Sequence, residues 1–350
     1  ICRALVQETF LLEAARKPSE DFSAFASEAM RAVSWVAAIA TVAGIFLVSF
    51  QLPLSNSLGV VLLCMTGLLW IDMVRYLGFA KKRGSLAIRA DGSWLLLATL
   101  STPFAAELWQ VVLAWAGSAL VGGFIAFPAM RSTIRPTLGA LQWFTRYRQS
   151  GAFLATDFVV TQLVRQAVIW MLATGGSFSQ AGIYRAGEVL VAPVTLVMSA
   201  LMVAATANLA SCPRAVLVRR AAAYSVIGIA CGAGWAFCLI LVPSVVGRTI
   251  ISNLWPDAQL PAVALSLVIA VAAVSRPSLL ILRITGCFRR GILARVAMLP
   301  ISVLLCGYGA HQGGAFGAAA GLFAATVFVS AVLTYQAYAA LRSTSPAEGD

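Results

Sequence analysis

Of 350 residues, 60% are hydrophobic and 11% charged, and the mean hydropathy is +0.89. About a quarter of the residues of an ordinary soluble protein are charged, so a water-soluble globular core is excluded and an all-α integral membrane protein is expected. The formal charge of +12 is dispersed in short clusters between apolar runs rather than along one face, which sets nucleic acid aside as a partner.

The chain begins with Ile1 and carries no signal-peptide pattern. Residues 1–31 are polar and mixed in charge, as an interhelical loop would be, so the sequence reads as a piece that lacks its true N-terminus. Stretches approaching the roughly 20 residues that cross a bilayer follow at 33–52, 57–74, 93–106, 109–128, 152–174, 183–208, 222–243, 261–282, 292–309 and 315–338. About ten transmembrane helices are therefore expected.

The third stretch is short, and charge separates it from the fourth. Segment 75–89 carries Arg75, Lys81, Lys82, Arg83 and Arg89, and segment 129–148 carries Arg131, Arg135, Arg146 and Arg148. Two passes put both clusters on one side; a single pass would oppose them. Applied along the chain, this alternation puts 21 of the 25 basic residues in one set of segments, whereas the opposite loops (53–56, 107–108, 175–182, 244–260 and 310–314) hold Arg248 alone. Excess Lys and Arg marks the cytoplasmic side, so both ends are expected there. The longest outer loop, 244–260, contains Ile250, Ile251, Leu254 and Trp255 and reads as a short stretch lying along the interface.

Two cytoplasmic turns resemble each other. Arg75-x-x-Gly78, a basic cluster and Gly84-x-Leu-Ala87 match Arg283-x-x-Gly286, a basic cluster and Gly291-Ile-Leu-Ala294. If they correspond, the helices at 33, 57, 93 and 109 match those at 222, 261, 292 and 315. A six-plus-six plan of parallel repeats, a common transporter arrangement, is then complete but for two N-terminal helices. The expected divisions are an incomplete first lobe at 1–128, a linker at 129–151, a second lobe at 152–339 and a cytoplasmic tail at 340–350. Pro136, Leu138, Leu141, Phe144 and Tyr147, interleaved with Arg146 and Arg148, make the linker a basic amphipathic helix on the cytoplasmic face.

Ionisable side chains inside a membrane are costly and face a cavity or a partner. Asp157, Thr161 and Arg165 recur every four residues and share one helix face. Arg185, Glu188, Thr195 and Ser199 form a similar stripe on the next helix, and Arg276 beside Pro277 and Asp72 with Arg75 complete the set. Basic groups outnumber acidic ones, so a polar cavity of this kind favours an anionic head group such as phosphate. Arg165, Arg185, Arg276 and Arg75 are the expected substrate-binding residues, with Asp157, Glu188 and Asp72 as counter-charges or ion-coupling groups. Fixed ion pairs, Arg165 with Glu188 or Asp157 with Arg276, would use the same residues to lock helices together.

The seven cysteines are scattered singly, with no paired metal spacing, and His311 is the single histidine. No metal or cofactor is expected. Nucleophile elbows, P-loops and zinc spacings are missing as well, and the outer loops leave no room for a catalytic domain. An enzyme, such as a membrane glycosyltransferase or polymerase, is accordingly not expected.

Three stretches resemble the multidrug/oligosaccharidyl-lipid/polysaccharide exporter superfamily, and within it the bacterial polysaccharide-biosynthesis flippases. Ala181-Gly-Ile-Tyr-Arg-Ala-Gly-Glu-Val-Leu-Val-Ala-Pro193 is similar to the entry into that family's eighth helix. Asp72-x-x-Arg75-Tyr76-x-x-Phe79 with Asp91-x-x-Trp94 resembles the end of its fourth helix and the following turn, and Arg3-Ala4-Leu5 a loop after its second. The resemblance runs through the whole chain without a single diagnostic motif. It implies two six-helix lobes with the first two helices missing, alternating access, residence in the bacterial cytoplasmic membrane, and a polyprenyl-diphosphate-linked oligosaccharide as cargo, with membrane lipid and polysaccharide-assembly proteins as partners. An ion-coupled multidrug antiporter of the same superfamily is the alternative, and it calls for a net acidic cavity.

Overall fold

A computed structural model describes residues 2–16, 22–49, 53–81, 83–104, 107–128, 140–175, 177–210 and 212–343. Every regular element among them is helical: a π-helical turn at Arg3–Glu8 leading into α1 (Thr9–Arg16), then α2 (Phe22–Ser49), α3 (Pro53–Ala80), α4 (Gly84–Ser101), α5 (Leu108–Ala126), α6 (Ala140–Arg146), α7 (Arg148–Gly175), α8 (Phe178–Ala210), α9 (Arg214–Leu241), α10 (Ser244–Ile251), α11 (Trp255–Ile284) and α12 (Phe288–Ser343). Eight of these (α2, α3, α5, α7, α8, α9, α11 and α12) are long and apolar enough to cross a membrane.

Two details bear on the difference between these eight and the ten expected passes. The 56 residues of α12 would reach about 84 Å as one rod, but Gly313 and Gly314 leave helical geometry, the latter at φ 54°. The chain folds back there, and the two arms meet where Gly309 lies against the Gly317 carbonyl. Gln180 of α8 secures the bend by accepting a hydrogen bond from the Ala315 amide at 2.8 Å. The other detail is α4, which begins at Gly84 rather than 93 because Arg89 and Asp91, residues that reduce its hydropathy, are carried inside the helix.

The chain divides into two compact units, Ile1–Ala155 and Thr156–Asp350. In the first, α3 is central, packed on α2, α4 and α5. Small residues let these backbones approach, as membrane helices require: a methyl group added at Gly44 of α2 would stand 2.8 Å from the Gly59 carbonyl oxygen of α3. In the second, α11 is central, packed on α8, α9 and α12, and most of its residues from Trp255 to Leu282 that face these neighbours are Ala, Ser, Leu or Pro.

Three sequence expectations need correction here. Residues 2–16 are not a loop but a buried helical segment, with Val6, Phe10, Leu11 and Leu12 at most 2% exposed. Its charges at 3, 8 and 13 obscure an apolar face that packs on α3, where Gln7 donates to the Leu69 carbonyl and Arg3 to the Tyr76 hydroxyl, both at 3.0 Å. Burial raises the Cys2 thiol there to about 11, in keeping with cysteine as an apolar packer. Second, Trp255 does not lie at an interface: it is 1% exposed, its indole seated directly on Gly247 of α10, where a side chain would clash. Third, in the linker expected at 129–151, Trp143 is fully buried among Phe10, Phe25 and Tyr147 while Leu141 is exposed. Residues 129–139 of that linker, with Pro136 and Leu138, and residues 344–350 of the tail lie outside the described residues.

Candidate substrate cavity

The second unit holds a half-open cavity of about 490 Å³ between α7, α8, α11 and α12. Its wall is mostly aliphatic, with Val160, Val164, Leu265, Val268 and Leu299 among the lining residues, and its charged lining is three arginines (Arg165, Arg276 and Arg295) against one glutamate, Glu188.

Helical spacing brings these groups together in two levels. On α7, Asp157 and Arg165 lie two turns apart on one face, about 12 Å along the axis. At the Arg165 level, Glu188 of α8 accepts from Arg165 Nη2 at 2.7 Å and Nε at 3.2 Å through Oε1, and from Arg185 Nη1 at 2.7 Å through Oε2. Tyr184, one turn earlier on α8, is fully buried and lines the same cavity. Its hydroxyl has no hydrogen-bond partner among the described residues.

At the lower level Asp157 is paired with Arg295 of α12 at 2.8 Å and Arg283 of α11 at 3.3 Å. Arg295 also donates to Thr161 at 2.8 Å. The expected partnership of Arg165 with Glu188 is thus present, whereas Asp157 takes Arg283 and Arg295 in place of Arg276. The reason is axial distance: Arg276 lies seven residues before Arg283 on α11, about 10 Å further along the helix. That rise sets it near the height of Arg165, not of Asp157.

Of the other expected residues, Arg185 does not line the cavity but holds Glu188 from outside its wall. Thr195 lines it, while the Ser199 hydroxyl is turned back to the Thr195 carbonyl of its own helix at 2.9 Å. Asp72 and Arg75 belong to the first unit. There Arg75 bridges Asp72, at 2.6 Å, and Asp91, and stacks over the Trp94 ring at 5.2 Å. The residues of the Asp72-x-x-Arg75 and Asp91-x-x-Trp94 stretches therefore form one cluster.

Sequence reasoning missed Arg283, Arg295, Asp91 and Tyr184. Arg283 opens the second basic turn, and position 295 falls inside the apolar stretch at 292–309, which is the available signal. Tyr184 carried no signal apart from the stretch 181–193 in which it lies.

No protein-family model and no curated protein matches the sequence. Solved structures do match the fold. A MATE crystal structure superposes with a TM-score of 0.75 at 11% identity, covering 98% of this chain and 85% of the other. The Vibrio cholerae MATE transporter VcmN gives 0.72 at 14% identity over 98% and 85%. A MOP superfamily transporter from Pyrococcus furiosus, described as having a binding pocket of reverse polarity, gives 0.67 at 10% identity over 98% and 85%. The chain therefore has the polytopic helical fold of MATE transporters.

Proposed function

We propose that the chain is an alternating-access membrane transporter for an amphipathic anion, with a polyprenyl-diphosphate-linked oligosaccharide moving between leaflets of the bacterial cytoplasmic membrane as its cargo. The observation that carries the proposal is the cavity of the second unit: three arginines against one glutamate, set in an aliphatic wall. Guanidinium groups in a low-dielectric site recognise phosphate oxygens through paired N–H donors, and the aliphatic wall suits the first isoprene units behind such a head group. Arg165 and Arg276 take the anion, Glu188 is its counter-charge, and Arg185 holds Glu188. Asp157 with Arg283 and Arg295 ties α7, α11 and α12 together. Arg75 is assigned to bracing the first unit, since Asp72 and Asp91 already engage it.

The two units are taken as parallel repeats, a plan supported by the matching central positions of α3 and α11. The basic turns are assigned to the cytoplasmic side, together with the end of α12. Lipid surrounds the helices, and polysaccharide-assembly proteins are the expected partners.

An ion-coupled multidrug antiporter is the second reading. The MATE identity of the fold neighbours favours it, as does the presence of one carboxylate, Glu188, in the cavity. Cavity charge weighs against it, because a cationic drug would meet three arginines. That pockets in this superfamily differ in polarity is consistent with the Pyrococcus furiosus transporter's description.

Transport in proteoliposomes separates the two. A labelled polyprenyl-diphosphate sugar is expected to change leaflets with the wild-type chain, and the pair Arg165→Ala and Arg276→Ala to lower the rate by about tenfold or more, since each charge-assisted bond contributes roughly 1.5–3 kcal/mol. Ion-driven uptake of a lipophilic cation, with no movement of the lipid-linked sugar, would replace the flippase with the antiporter.

A further inference from the structure

Two clusters in the second unit have the same composition, one carboxylate between two arginines, and they differ in accessibility. Around Asp157 all three side chains are closed in, at 16% exposure for Asp157, 14% for Arg283 and 17% for Arg295. Around Glu188 the carboxylate is 11% exposed while Arg165 and Arg185 remain 45% and 51% exposed. The first arrangement is a lock. The second holds its carboxylate inside and presents guanidinium surface, that of Arg165 within the cavity.

Tyr184 lines the same cavity, and its hydroxyl is buried with no hydrogen-bond partner among the described residues. Buried polar groups are nearly always hydrogen-bonded, so an idle hydroxyl in a cavity wall is a donor waiting for a ligand. A tyrosine hydroxyl and a guanidinium fork on the wall of one cavity make a donor set for phosphate oxygens. In the structure the Arg165 fork is already taken, because Glu188 Oε1 receives both Arg165 Nε and Nη2, as a phosphate oxygen would.

We propose that Glu188 is a resident counter-anion, filling the Arg165 fork while the cavity is empty and displaced by the anionic head group of an arriving substrate, which then engages Arg165 and the Tyr184 hydroxyl. This rests on the anionic-substrate reading above and adds how that substrate is admitted. Exchange of one anion for another keeps Arg165 compensated at each stage, which avoids the cost of a bare buried charge. Displaced Glu188 retains Arg185 through Oε2. Exchange also sets a threshold: a ligand must outcompete a tethered carboxylate, so a diphosphate that offers several oxygens is admitted over a lone carboxylate.

The test is binding of inorganic pyrophosphate and of polyprenyl diphosphate to the purified full chain in detergent. Glu188→Gln removes the competitor and keeps its shape. Apparent affinity is expected to rise about tenfold, because the fraction of molecules with an open fork rises, and adding Arg165→Gln should abolish the gain. Should Glu188→Gln alone fold poorly, Glu188→Gln with Arg185→Gln keeps the net charge and the fork and carries the same expectation. Tightening for both probes supports displacement; tightening for the lipid alone also does, and identifies a lipid head group as the source of the anion. Unchanged or weaker binding in both variants, with wild-type binding intact, overturns the displacement and leaves anion transport standing. Absence of binding to either anion in every form, alongside binding of a lipophilic cation, overturns both.

Discussion

In the first unit one arginine stands between two aspartates, while in the second one carboxylate, twice over, stands between two arginines. Both patterns answer one physical demand. A charge inside a helix bundle is tolerable when paired, and a shared central group gives each of two neighbours an opposite charge to pair with. They differ in the sign left over. Arg75 with Asp72 and Asp91 leaves an excess negative charge, so nothing in that cluster invites an anion. The Glu188 and Asp157 clusters each leave an excess positive charge, and Arg165 of one and Arg295 of the other reach the cavity. A count of intramembrane arginines treats Arg75 and Arg165 alike; their partners make them opposites.

The comparison implies that the central member of each cluster matters more than either flank, and that burial decides by how much. Asp157→Ala should have the largest effect. It removes the carboxylate shared by Arg283 and Arg295, which are 14% and 17% exposed, and breaking a buried pair costs about 3–5 kcal/mol. A steep fall in the thermal unfolding midpoint of the detergent-purified protein is expected, and a midpoint near wild type would mean the triad is wet and does not lock the unit. Next comes Arg75→Ala, which leaves two aspartates facing each other. With Asp72 at 23% and Asp91 at 47% exposure, water screens part of the penalty, and about 2 kcal/mol is expected. If unfolding shows Arg75→Ala to cost as much as Asp157→Ala, the hubs are equally buried and the contrast between the units fails.

The smallest effects belong to the flanks. Asp91→Asn and Arg185→Gln each remove a half-exposed outer partner and leave the hub one ally, so each should stay within about 1 kcal/mol of wild type. Arg185→Gln sharpens the comparison further, because it takes a partner from the displaced Glu188 but not the fork from the anion, and should weaken pyrophosphate binding less than Arg165→Gln does. Equal losses from the two would place both arginines on the anion.

Much of the fold was open to reading along the chain. Apolar runs of bilayer length are properties of local composition, and the eight helices long enough to cross a membrane follow from them, even where α12 bends back without a loop to mark it. The pair Arg165 and Glu188 was within reach for the same reason, since neighbouring helices joined by a short turn bring their polar stripes face to face. What was hidden depended on distance along an axis or on shape. The two Arg-x-x-Gly turns look alike, yet Gly286 takes φ 78° just beyond the end of α11, whereas Gly78 remains inside α3.

By itself, then, the sequence determined a polytopic helical membrane protein, the course of most of its long helices, and that its buried charges are predominantly basic, because hydropathy and helical period are written residue by residue. Only the tertiary structure decided which charge meets which. Asp157 reaches Arg283 and Arg295 across 126 and 138 residues of chain, and Trp255 sinks onto Gly247 rather than resting at an interface. The height of a group on one helix relative to its neighbours is set by packing, and packing is a property of pairs of helices that no single stretch of sequence contains.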